Sequence, residues 1–135
     1  MTALDTSVVI AAFAPWHDAH TPARRAVTPD AVVPAHVVAA TYAVLTRMPA
    51  PFRMDAATVA EYLQRQWGGR VITPDVGVYE SLIEAAPAAG VTGGGTYDAL
   101  VGLTARRFGH ELLSLDLRAE RTYRTLGIPH RLLTG

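Results

Sequence analysis

The chain has 135 residues, half of them apolar, with 12 basic and 12 acidic side chains and no cysteine. This is enough for one compact domain spanning 1–135 and too few for two. Zero net charge argues against a broad nonspecific nucleic-acid surface, and the lack of cysteine excludes disulfides and thiolate–metal sites.

All 12 basic residues are Arg. Without Lys, P-loop phosphate binding and Schiff-base chemistry are excluded. The opening MTALDTSVVI has neither a basic n-region nor a cleavage pattern, and no apolar run approaches the roughly 18 residues that span a bilayer. A cytoplasmic protein with no membrane partner is expected.

In chain order, Ala3-Leu4 read as a buried strand ending at Asp5, and the next stretch as a helix to about Ala14, stopped by Pro15. His17 to Val27 reads as a second helix. Ala31–Val33 is a short strand closed by Pro34. Ala35 to Met48 carries apolar residues at helical spacing, and Pro49-Ala50-Pro51 ends it. Asp55 is expected to cap a helix to about Trp67, terminated by Gly68-Gly69. Val71-Ile72 is a strand, and Asp75 caps a helix to about Ala88. Gly93-Gly94-Gly95 forms a loop, and Thr96 caps a helix to about Phe108. Glu111–Leu115 is a strand ending at Asp116, a helix runs on to Leu126, and a last strand falls at about Arg131–Leu133. Short strands alternating with helices predict an α/β fold with a parallel sheet and right-handed crossovers.

Open α/β sheets bind ligands beyond the carboxyl ends of their strands. Asp5 and Asp116 fall there, and Asp98 lies in the first turn of the helix after the triple glycine. Each alone has a bland explanation, since Asp is a preferred N-cap and favours a helix's first turn. Together they are a different matter. Two carboxylates about 4 Å apart repel by roughly 4 kcal/mol at an effective dielectric of about 20. Three on one edge call for a cation, and an all-oxygen set suits Mg²⁺ or Mn²⁺.

With these acids placed, ALDTSVVIAAF resembles the opening strand–helix motif of PIN-domain proteins, with the first metal-site acid at Asp5. TYDALVGLTARRFG resembles the later helix that carries Asp98, and LLSLDLRAERTYRTLGI the final acidic motif at Asp116. HVVAATYAVLTRMP is similar to a helix of the VapC-type ribonuclease toxins. Order, spacing and strand context agree over nearly the whole chain. One position departs. The family places a Glu before the Thr-Tyr pair of that helix, and here the run reads Ala39-Ala40-Thr41-Tyr42. Natural degeneracy accounts for Ala40, as does a deliberate Glu→Ala change that spares an expression host. The survival of the other three acids favours the second.

The resemblance implies a single PIN domain with a short central parallel sheet flanked by helices. It implies a metal-dependent endoribonuclease, the toxin of a type II toxin–antitoxin pair, which cleaves structured RNA (transfer or ribosomal). A cognate antitoxin would silence it, and it would form a homodimer. Asp5, Asp98 and Asp116 would hold Mg²⁺, with Mn²⁺ as a substitute, and position 40 would complete the catalytic set. Ser7 and Ser114 would donate hydrogen bonds behind the metal ligands. Arg118 and Arg121 follow Asp116 and read either as a grip on RNA phosphates at the site mouth or as ordinary helix-surface Arg, paired with Glu120 or with nothing. With Ala40 the chain is expected to be inactive or weakened. The alternative is a degenerate, non-catalytic PIN module that only binds RNA or antitoxin.

Other residues read more plainly. His17 and His20, spaced i, i+3, are a solvated pair before they are metal ligands, because no acid accompanies them. Trp16, Trp67 and Tyr62 read as core or dimer contacts. Aspartate-based phosphoryl transfer fails on residue identity: a haloacid-dehalogenase-like enzyme needs Asp where Ser7 stands, and a receiver domain needs a Lys.

Overall fold

The computed structural model describes residues 1–133. Strand β1 (Thr2–Leu4) leads through helices α1 (Thr6–Phe13) and α2 (His20–Ala26) to β2 (Val33–Pro34). Helices α3 (Ala35–Arg47) and α4 (Ala56–Trp67) then lead to β3 (Val71–Ile72). Helices α5 (Val76–Ala85) and α6 (Gly95–Arg107) lead to β4 (Glu111–Ser114), and α7 (Leu117–Thr125) to β5 (His130–Leu132).

Every strand pairing is parallel, as the alternation predicts. The single expected sheet is instead two ladders, β1-β4-β5 and β2-β3. One parallel bridge, Ala3 to Val32, joins them. Leu4 N donates to Val32 O at 3.0 Å and Val32 N to Thr2 O at 3.1 Å. The spatial order is therefore 3-2-1-4-5. The chain winds outward from β1 to β3, returns past β1, and winds the other way through β4 and β5. Strand order reverses between β1 and β4, the kind of switch point where open α/β sheets bind ligands. Asp5 and Asp116 follow these two strands, so topology alone brings them to one crevice.

The sheet is buried on both faces, as parallel sheets are. Ala3, Leu4, Leu112 and Ser114 have no exposed surface. Helix α1 packs on α2 and α3, and α3 on α4; α5 and α7 flank α6. Helix α6 is the central one: every residue from Ala99 to Ala105 is buried. That is why its sequence lacks a polar stripe. Its buried Thr104 hydroxyl donates to Leu100 O at 2.7 Å, which removes the cost of burying it. Helix α7 is the opposite case. It buries only Ala119 and Tyr123 beneath a charged face. Among residues 1–133 no helix is long and apolar enough to cross a membrane.

Differences from the expected boundaries have local causes. Helix α2 begins at His20 rather than His17, because His17 Nδ1 accepts the Ala19 N–H at 3.0 Å and closes a turn. His20 Nδ1 lies 2.8 Å from Ala11 O, so both rings of the expected solvated pair bond to backbone. Asp55 and Asp75 cap α4 and α5 as expected, through Thr58 N and Val78 N. Thr96 does not cap α6. The helix starts two residues earlier, after Gly94, without a side-chain cap. Trp67 is core, Tyr62 packs on Phe13 with centroids 4.2 Å apart, and Trp16 is partly exposed against Phe52 at 4.8 Å.

Gly102 lets α6 and α7 approach. A Cβ there would collide with Ile128 Cδ1 and press on Tyr123 Cδ1 at 3.1 Å. Replacing Gly by Ala inside a helix gains about 1 kcal/mol of propensity. Overpacking a tight core costs about 1–3 kcal/mol, and here the obstruction is the Ile128 side chain together with the buried Tyr123 ring. Gly102→Ala is therefore expected to be net destabilising, by about 1–2 kcal/mol. Urea titration monitored by circular dichroism checks it, and a midpoint at or above that of the parent would contradict the packing account.

Candidate active site

Asp5 ends β1 and caps α1. Its Oδ1 accepts the Val8 N–H at 3.3 Å and the Ser7 hydroxyl at 2.5 Å. Its Oδ2 accepts the Tyr123 hydroxyl at 2.9 Å. The residue is only 3% exposed. Burial pushes its carboxyl up, against the pull of the Ser114, Ser7 and Tyr123 hydroxyls and the Val8 N–H. Ser7 also accepts the Leu115 N–H at 2.9 Å, which ties the start of α1 to the end of β4.

Asp116 caps α7. Its Oδ1 accepts from Arg118 N at 2.9 Å and from Ala119 N at 3.3 Å, which leaves Oδ2 without a donor among the described residues. Ser114, fully buried, accepts the Asp116 N–H at 3.0 Å and fixes the turn that aims this carboxylate. Both serines thus sit behind the two acids. The bland reading of Asp5 and Asp116 as helix caps is correct as far as it goes. Capping occupies part of each carboxylate and holds the remainder rigid.

Asp98, in the first turn of α6, has no hydrogen-bond donor among the described residues. Its carboxyl is pushed up to about 6, first by burial, then by the charge of Asp116, then by that of Asp5; only the Arg118 guanidinium opposes. The three acids therefore share one field. As they stand, no three His, Asp or Glu side chains among the described residues are gathered closely enough to hold an ion. Metal-sharing contact, the expectation from sequence, is not reached. The donor set nonetheless fits a hard divalent cation, since it offers carboxylate oxygens with free lone pairs and no softer ligand.

Position 40 lies on α3, half-buried. Four residues earlier on the same face, His36 stacks on Tyr97, with centroids 5.0 Å apart and planes 4° apart. Tyr97 immediately precedes Asp98. The α3 face that carries Ala40 thus looks toward the start of α6, one turn beyond the His36–Tyr97 stack. Arg118 is exposed and lines a shallow groove with Ser7, Ile10, His17 and Asp116.

Tyr123 is the residue that sequence reasoning missed. The clue was available: on α7 it is the one large side chain on the Ala119 stripe, and it is Tyr where Phe would fill the space.

A family model described as PIN domain matches residues 2–125. The chain is 42% identical to Ribonuclease VapC40 of Mycobacterium tuberculosis over 134 residues, covering 99% of this chain and 100% of that protein. Two solved structures share the fold. FitAcB from Neisseria gonorrhoeae superposes with a TM-score of 0.71 at 16% identity, covering 96% of each chain. Mycobacterium tuberculosis VapC20, described as a sarcin–ricin loop cleaving toxin, superposes with a TM-score of 0.69 at 20% identity, covering 89% of this chain and 93% of that one.

The Asp98 shift sets a pH dependence. Its carboxyl titrates near 6 in the folded state, against an ordinary value of 3.8. The folded state thus holds this proton more tightly than the unfolded state does. The stability it contributes is present below about pH 4 and is lost as pH rises through about 6. In chelator at pH 7, Asp98→Asn is expected to melt higher than the parent, with the gap closing toward pH 4. Paired thermal melts across that range check this, and an unchanged midpoint at pH 7 would refute a shared acidic field.

Proposed function

Because the chain belongs to the PIN-domain family, as a VapC-type member, we propose that it is a metal-dependent endoribonuclease toxin acting on structured RNA and neutralised by a cognate antitoxin. The supporting observation is the field at the switch point, where the charges of Asp116 and Asp5 help push Asp98 up to about 6. Asp5, Asp98 and Asp116 would hold Mg²⁺ or Mn²⁺. Bound there, such an ion would supply Lewis-acid chemistry for water activation and for the charge on the scissile phosphate. The chain's own groups have separate tasks. Ser7 and Tyr123 fix Asp5, and Ser114 fixes the turn at Asp116. Arg118, exposed beside Asp116, would hold a substrate phosphate. VapC20, a fold neighbour, is described as cleaving the sarcin–ricin loop; transfer and ribosomal RNAs are the substrate class proposed here.

Ala40 favours a second reading of this particular chain, a module that keeps the shape and has lost the reaction. A Glu on this face of α3 would extend toward Asp98, to orient water or complete the ligand set, and Ala does neither. Losing one such group costs about a hundredfold to a thousandfold in rate. The chain as it stands is therefore expected to be nearly inert. With Mn²⁺ and total RNA, Ala40→Glu should gain metal-dependent cleavage and become toxic on expression. If it unfolds, or stays inert while the unmodified chain cleaves RNA, the role given to position 40 is wrong.

A homodimer belongs to the same proposal. Val76 and Ile83 are 72% and 68% exposed and, with Tyr79, follow one face of α5, an apolar stripe of the kind that marks association surfaces. Light scattering at micromolar concentration should report twice the chain mass, and a monomer there would count against it.

A further inference from the structure

We infer that Tyr123 is a positioning residue: its hydroxyl holds the Asp5 carboxylate in the orientation that the divalent cation requires. The inference rests on the metal site proposed above and adds a residue to it.

The geometry is unusual for a core tyrosine. Tyr123 is 1% exposed and lies 118 residues from Asp5 in sequence. Its ring is seated by the missing Cβ of Gly102, where Ile128 shares the space. A Phe would fill that seat equally well. A Tyr there needs a partner, since a buried hydroxyl without one is costly, and its partner is Asp5 Oδ2. Ser7 and Val8 hold Oδ1 from the α1 side, and Tyr123 holds Oδ2 from the α7 side. The carboxylate is thus gripped on both oxygens, Oδ1 by two donors and Oδ2 by the Tyr123 hydroxyl. The ring also tilts against His130, centroids 5.8 Å apart, and His130 Nε2 lies 2.6 Å from Glu120 Oε2. A polar layer on α7 and β5 therefore backs the tyrosine. Partners behind metal ligands set ligand orientation, and removing one typically weakens metal binding by about 10–100-fold.

The test is Tyr123→Phe, with Mn²⁺ affinity read from the electron paramagnetic resonance signal of free Mn²⁺. Ile128→Val serves as a packing control that leaves the hydroxyl in place. The expected result is Mn²⁺ binding about 10–100-fold weaker in Tyr123→Phe, with wild-type affinity in Ile128→Val. Equal affinity in Tyr123→Phe and wild type overturns the inference and leaves the metal site standing. Loss of affinity in both variants in step with their melting midpoints overturns it in favour of a packing role. If the wild-type chain itself binds no Mn²⁺, the metal site fails and the inference fails with it. Should Tyr123→Phe not fold, it is combined with Asp5→Asn. Recovery to the stability of Asp5→Asn alone assigns the hydroxyl to Asp5, and continued unfolding assigns it to packing and overturns the inference.

Discussion

A carboxylate at the end of β1, almost wholly out of water, is the constraint around which the rest is arranged. Burying an ionised group without compensation is prohibitively costly. Asp5 finds its compensation in four places: its own helix, the hydroxyls of Ser7 and Ser114, and the distant Tyr123. Because Ser7 also bonds Leu115 N, the same set of contacts fixes β4 against α1. Because Tyr123 must reach inward, α7 must lie close over α6, and Gly102 permits that approach. The position of one acid thus explains a serine, a tyrosine and a glycine far apart in sequence.

The second acid pair follows from topology. Reversal of strand order between β1 and β4 leaves a crevice that no helix crossover covers. Asp116 enters it because it caps the helix leaving β4. Asp98 enters from α6, which is buried along most of its length and so cannot move its first turn aside. The field at Asp98 is therefore a consequence of rigid elements rather than of a flexible loop. This is the arrangement that a precise site needs.

Much of this was legible in the sequence, for identifiable reasons. Strand-then-Asp is a short-range signal, and Asp5 and Asp116 each combine it with helix capping. Capping by itself does not discriminate, because Asp55 and Asp75 cap just as well and lie far from the site; Asp75 instead pairs with Arg107 on the surface. Placement after β1 and β4 makes the difference, and alternation of elements revealed that placement. The split of the sheet was not legible. Two-residue strands such as Val71-Ile72 carry no register information, and a single bridge leaves no pattern. Tyr123 was missed because its partner lies 118 residues away, and no local spacing encodes such a contact. The start of α2 was misplaced because His17 acts through its ring on the backbone, a role that periodicity does not register.

The narrow seam between the two ladders bears on how such a protein changes over generations. Asp5, Asp98 and Asp116 belong to β1, α6 and the β4–α7 turn, whereas position 40 rides on α3, which leaves β2 across the Ala3–Val32 bridge. No hydrogen bond that orients the three acids comes from α3. Residue 40 is therefore free to drift without disturbing them. A substitution there changes what α3 offers the crevice while the three acids keep the contacts that hold them.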